Sequence, residues 1–237
     1  MTAKEQDLEI TERLGFGILL TLVGGAMDVY SYILRGNVFA TGQTGNFVLM
    51  VVRGAEKDYL GMTHAMVPIV SFWIGIFIAW HIFYFYCKEK QLLWKRWVLI
   101  IEIITLFIVG LVPCSYPPII ANTLLSFAAS LQYCAFRKFG TDDNYASIFC
   151  TGNMRFCAEN YYRAIVKKDK KGLKRAIGYT YILLAFLVGI LLGALAVTNL
   201  KEKAIWVVDA VLIAALIISF IYSEDKKEDI SVSKEKL

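Results

Sequence analysis

Long apolar runs separated by short polar joints dominate this chain, and six are long enough to cross a bilayer: residues 14–34, 65–87, 97–113, 118–136, 177–197 and 204–222. A spanning helix needs about 20 mostly apolar residues, so the pattern predicts an all-α, polytopic membrane protein. The third run is the weakest. It is short, carries Glu102, and needs part of the amphipathic stretch 92–96 or local bilayer thinning to match the hydrocarbon thickness. Two further segments, 44–52 and 151–165, are shorter still and fall in the range of re-entrant or broken helices.

Composition points the same way. With 57% hydrophobic and 19% charged residues, the chain is unsuited to a soluble core and suited to lipid. The first run outlasts a typical signal core and is followed by Arg35-Gly36-Asn37 rather than a small-residue cleavage site, so it is expected to remain. The tails 1–13 and 223–237 are short, of mixed charge and without apolar pattern, and are expected to be mobile in water.

The Lys and Arg positions discriminate between two topologies. With six spans and both termini cytoplasmic, twenty of the 25 basic residues lie inside and five outside. Making 44–52 and 151–165 full spans moves the cluster at Lys88, Lys90, Lys95 and Arg96 outside and strands Arg155 in the membrane. The six-span arrangement obeys the positive-inside rule better. It divides the chain into a first membrane repeat, 14–113, and a second, 114–222. Each reads span, short segment, span, span, and the two begin on opposite sides, so they are expected to be inverted copies.

The short segments share a signature, Thr44-Gly45-Asn46 and Thr151-Gly152-Asn153. Asp28 lies late in the span before the first motif, and Gln132 late in the span before the second. Glu102 and Asp209 fall early in the last span of each half, both fifty-six residues after the motif Asn. Gly75 and Ala79 in one half answer Gly189 and Gly193 in the other, small residues four apart that let helices approach closely. Those faces can pack within one bundle or between subunits, so homo-oligomerisation stays open.

The ordered set Gly24-Gly25-Ala26-Met27-Asp28, Thr44-Gly45-Asn46, Leu131-Gln132-Tyr133 and Thr151-Gly152-Asn153 resembles the YoaK-type family of bacterial multi-pass membrane proteins, from about residue 14 to 222. In that family a glycine-rich segment with an Asp precedes a Thr/Ser-Gly-Asn motif, and a Gln precedes a Thr-Gly motif. The resemblance implies a multi-pass membrane fold and assigns no activity, because the family is a domain of unknown function. Asn153, where similar proteins tend to have a small polar residue, and Arg155 two positions later depart from its pattern.

The motif chemistry suits a break inside a membrane. Thr can cap a helix start, Gly exposes backbone, and Asn offers two donors and an acceptor. A helix beginning within the bilayer leaves its first N–H groups free and its positive dipole end pointing at whatever lies there. The alternative is that Thr and Asn only cap their helices and bond to neighbours. The acids Asp28, Glu102 and Asp209 are functional candidates because an ionised carboxylate costs up to a few kcal/mol in the bilayer unless solvated, paired or protonated. Snorkelling or a structural hydrogen bond is the competing account.

Arg155, Glu159 and Arg163 recur every fourth residue and form one charged stripe, suited to an aqueous vestibule or the inner surface. The basic run from Lys167 to Arg175 fixes topology or attracts anionic headgroups. The five cysteines have no C-x-x-C spacing, and His64 and His81 form no metal-binding pair, so no metal or cofactor is expected. No nucleophile–base constellation, P-loop or dinucleotide fingerprint is present, so no enzyme activity is expected. The net charge of +5 belongs to the loops and gives no argument for nucleic acid.

These readings combine into one expectation: passage of a small polar or ionic solute. Thr44, Gly45, Asn46, Thr151, Gly152 and Asn153 are expected to line a midplane site, with Asp28, Gln132, Glu102 and Asp209 as coupling or gating groups. The alternative is a non-transporting membrane protein, lipid-binding or an assembly partner, whose polar motifs fasten the bundle.

Overall fold

A computed structural model describes residues 9–88, 90–139, 143–145 and 150–235. Helices account for nearly all of them: α1 (Leu14–Leu34), α2 (Gln43–Ala55), α3 (Tyr59–Ile82), α4 (Gln91–Leu111), α5 (Pro118–Ala135), α6 (Cys150–Val166), α7 (Lys170–Leu200) and α8 (Ile205–Glu235). Helix α3 runs on into a π-helical turn, Phe83–Cys87, and 3-10 turns at Ile10–Glu12 and Lys201–Ala204 precede α1 and α8. A two-residue antiparallel pairing joins Lys138–Phe139 to Asp143–Asn144.

Among the described residues three stretches are long and apolar enough to cross a membrane: Leu14–Leu34, Tyr59–Cys87 and Lys170–Tyr222, the last containing α7 and the first part of α8. The other two long helices are less apolar for physical reasons. Helix α4 carries Lys95, Arg96 and Glu102. Helix α5 carries Asn122, Ser126, Ser130 and Gln132, all buried, and is buried around most of its circumference, as befits a helix in the middle of a bundle.

Pairing follows the small residues. Helix α1 packs along α7, and α3 along α5. A Cβ at Gly25 would overlap the Phe186 carbonyl oxygen, one at Gly189 the Leu22 carbonyl oxygen, and one at Gly75 the Ser130 hydroxyl. These glycines let backbones touch where any side chain would hold them apart. The short helix α2 lies on α3, and α6 on α7; α4 packs on α5 and α8, and α8 also on α1.

Buried cations fasten the two opposite ends of the bundle. At one end Lys95 ion-pairs with Glu9 (2.9 Å) and Glu12 (3.4 Å), and Arg13 bonds the Tyr222 hydroxyl. At the other, Arg35 is 1% exposed and donates to the carbonyls of Val112 (2.8 Å), Val109 and Pro113, and to the Tyr30 hydroxyl (2.8 Å). A guanidinium on the last carbonyls of α4 satisfies groups that the helix itself leaves open and meets the negative end of its dipole. Tyr30 passes the connection on by donating to the Glu202 carbonyl (2.9 Å). In the exposed turn here the Cys114 thiol bonds the Glu202 carboxylate (3.5 Å). Burial raises the thiol's pKa, and hydrogen bonds from the Glu202 backbone N–H and the Cys114 thiol lower that of Glu202.

Residues 9–13 are fastened through Lys95, and α8 continues to Glu235, because an established apolar helix lets the Glu and Lys residues that follow add one bond per residue without new nucleation.

Candidate functional site

The first motif is reached through a sharp reversal. After α1, Gly36 (φ 87°) and Asn37 (φ 55°) adopt left-handed backbone, and the chain runs back beside the helix it has just left. Ser31 accepts from the Ala40 N–H (2.9 Å), and Ser126 of α5 donates to the Ala40 carbonyl (3.0 Å). Asp28 accepts from the Thr41 N–H (2.7 Å) and the Thr41 hydroxyl (2.6 Å). Gly42, the cap residue of α2, lies beside the same carboxylate. The negative side chain of Asp28 thus occupies the place where the free N–H groups and positive dipole end of α2 favour an anion. From there α2 heads back, and Arg53 near its end donates to the Gly36 carbonyl (3.2 Å).

Within the motif the three residues do different things. Thr44 is exposed at the second position of α2. Gly45 faces the Phe39 ring, which a Cβ would approach to 2.8 Å. Asn46 is fully buried and grips Phe39 at both backbone groups, accepting from its N–H (2.9 Å) and donating to its carbonyl (2.7 Å), with a further bond to Gln43 (3.0 Å).

The second motif opens α6 after residues 146–149, which lie outside the described residues. Thr151 and Gly152 are exposed, with open space around Gly152, and Asn153 is buried. The buried face of α6 continues through Cys157, near Thr180 of α7, and Tyr161, whose hydroxyl meets that of Thr180 at 2.9 Å. Phe156 stacks on Tyr179. Tyr145, before this motif, fills a notch over Gly17, and the cluster it joins packs on Leu14 and Ile18. The two motif regions therefore attach to α1 at Asp28 and at residues 14–18, about 15 Å apart along the axis at a ~1.5 Å rise. The charged stripe lies on the outside of α6, with Arg155 and Glu159 3.3 Å apart and exposed.

Gln132 is buried and donates to the Leu20 carbonyl (3.0 Å), linking α5 to α1; its own oxygen has no donor. Glu102 and Asp209 sit on the facing helices α4 and α8, 0% and 4% exposed, and none of their four oxygens has a hydrogen-bond partner. Among the described residues no cluster of three or more potential metal ligands occurs. Sequence reasoning missed Arg35 and Lys95 as buried groups. The available signal for Arg35 was its position just after the last apolar residue of α1, where a cation can reach carbonyls at a helix end.

A bundle of long apolar helices with polar side chains turned inward and two shorter helices against its ends defines a multi-helix membrane protein. The chain belongs to the family described as "Protein of unknown function (DUF1275)", whose profile matches residues 16–218. It is also similar to the UPF0700 transmembrane protein YoaK of Bacillus subtilis (strain 168), with 26% identity over 197 residues, covering 80% of this chain and 86% of that one. No solved structure matches.

Proposed function

We propose that this protein is a transporter or channel for a small polar or ionic solute in the bacterial inner membrane, with both termini cytoplasmic. In this reading 14–113 and 114–222 are inverted copies, each of three spans and one re-entrant motif helix, α2 dipping from outside and α6 from inside. Thr44, Gly45, Asn46, Thr151, Gly152 and Asn153 form the solute path, and Asp28, Gln132, Glu102 and Asp209 gate or couple it.

The helix pairing carries this reading. Exchanging α1–α4 for α5–α8 converts α1 on α7 into α5 on α3, α2 on α3 into α6 on α7, and α4 on α5 into α8 on α1, while α4 on α8 maps onto itself. Inverted halves with short helices ending inside the bilayer are the recurring plan of secondary transporters. Asp28 then acts as a resident anion: a solute group that displaces it from Thr41, or a proton that neutralises it, frees the entry segment and the start of α2.

A second reading, a non-transporting protein whose polar motifs fasten the bundle, is favoured by one observation. Asn46 spends its hydrogen bonds on Phe39 and Gln43 of its own chain.

Two experiments test the proposal. Single cysteines at the exposed positions Lys57, Lys90 and Lys168, in a chain with its five native cysteines replaced, report the sidedness: Lys57 should label only from outside, and the other two only from inside. Light scattering of proteoliposomes challenged with urea, glycerol, ammonium chloride and potassium acetate then reports permeation. Flux that is lost in Asn153→Ala and Asp28→Asn proteins of normal monodispersity supports the site. Unchanged flux, or labelling of Lys57 from inside, overturns it.

A further inference from the structure

Glu102 and Asp209 leave a chemical question that the solute path does not answer: what neutralises them. The register of their helices is fixed by Trp206, which stacks on Phe107 at 5.5 Å, donates to its carbonyl (3.2 Å) and lies against Gly110. Because α4 and α8 run antiparallel, Asp209, three residues beyond Trp206, comes level with the turn that ends at Thr105. Glu102 lies less than one turn further along α4, on the stretch between the Phe107–Trp206 and Arg96–Ser219 contacts of the two helices. Leu99, Leu106, Val208 and Leu212, all buried, flank the pair on the two helices.

Among the described residues, the cations along α4 are committed elsewhere. Lys95, two turns away on α4, is held by Glu9, Thr11 and Glu12. Arg96 bonds Ser219, and Arg35 caps the far end of α4. Helix α5 contributes no charged residue, only Tyr133 and Cys134; the π-helical turn brings Tyr84, Tyr86 and Cys87; and the turn Ile10–Glu12 brings Glu12, which is on Lys95. Helix α1 brings Asp28, tied to Thr41, and the turn before α8 brings Lys201, Glu202 and Lys203 at the bundle end. The Thr105 hydroxyl donates to the Ile101 carbonyl (2.7 Å). Two carboxylates without a donor or a counter-charge cannot both stay ionised in an apolar interior. Two side chains also fall short of the roughly six oxygens that a hard metal cation demands. A proton needs only one carboxyl group and one neighbouring oxygen.

We propose that Glu102 and Asp209 form an intramembrane proton-binding site in which the two carboxyl groups of α4 and α8 share an exchangeable proton. The site stands whether or not the chain moves a solute; if it does, the proton is the coupling ion. The pair lies where α4 meets α8, a contact that exchange of the halves leaves in place, so movement of α4 against α8 would alter the proton's hold directly.

Infrared difference spectroscopy of the purified full chain in lipid nanodiscs, titrated with acid and base, tests this without any solute. The expected result is a carboxylic-acid carbonyl band that titrates in the wild type, weakens in Glu102→Gln and Asp209→Asn, and is absent from the double variant. Melting temperature gives a second readout: a proton held by the folded state but not the unfolded one makes the wild type lose stability as pH rises, and the double variant should lose that slope. Identical spectra and slopes in all proteins overturn the proposal. So does stabilisation of the wild type by sodium chloride over choline chloride that the double variant lacks, which would assign the pair to a metal cation. No permeation by the wild type, or flux unchanged in Asn153→Ala and Asp28→Asn, together with an intact titrating band would count against the solute path and leave the proton site standing.

Discussion

Asp28 holds Thr41 by two hydrogen bonds, one to its backbone N–H at 2.7 Å and one to its hydroxyl at 2.6 Å. One acid thereby fixes the chain where it turns back into the bundle and stands at the start of α2. Asp28→Ala should lower unfolding stability by about 1–3 kcal/mol, since it strands buried donors, and Thr41→Val should cost less. Chemical unfolding in detergent checks this. The double variant should fall short of the sum of the two by roughly 0.5–3 kcal/mol, because both changes remove one interaction.

The motif residues should separate cleanly in the same assay. Asn46→Ala removes the grip on both backbone groups of Phe39 and should cost about 1–3 kcal/mol, whereas exposed Thr44→Ala should stay within about 0.5 kcal/mol. Equal losses at the two positions would contradict the division of labour between them.

Close packing of α1 on α7 gives a third test. Gly189→Ala places a methyl group against the Leu22 carbonyl and should destabilise by about 1–3 kcal/mol. Gly152→Ala, in open space on α6, should be neutral or should stabilise by about 0.5 kcal/mol, as replacement of a helical glycine does.

The thiol of Cys114 reports on the exposed turn between α4 and α5. Burial is the main influence and pushes its pKa up; Arg35 pulls the other way, and the Glu202 carboxylate adds a further upward push. Its alkylation by a maleimide should therefore reach half-maximal rate at a higher pH than that of an unperturbed thiol, and Glu202→Gln should move that midpoint down. An unmoved midpoint would show that the carboxylate does not act on the thiol.

Much of the helical pattern was legible in the sequence, because lipid demands long apolar runs and these are local features. Helix α1 begins and ends where the run 14–34 does, and α5 ends one residue before 136. Helix α4 starts at Gln91, six residues ahead of its apolar run, because Lys95 in that first stretch is buried against Glu9 and Glu12, which lie over eighty residues away. No local periodicity carries such a partnership. The same limit applied at the motifs. Their residue types said that the backbone breaks there, but that Asn46 would grip Phe39 and that Asp28 would sit at the start of α2 depends on a reversal at Gly36 and Asn37 that brings distant atoms together.

The interlocking of α1 with α7 and of α3 with α5 bears on how the protein is made. As the ribosome delivers the chain, α1 enters the bilayer long before α7 exists. The glycine face of α1 must wait exposed to lipid, or against a temporary neighbour in the insertion machinery, while more than a hundred further residues are synthesised. The two halves cannot mature one after the other as separate units. A ribosome that stalls after α4 leaves a product whose principal contact faces have no mates, which membrane quality control can recognise by those unfilled small-residue grooves.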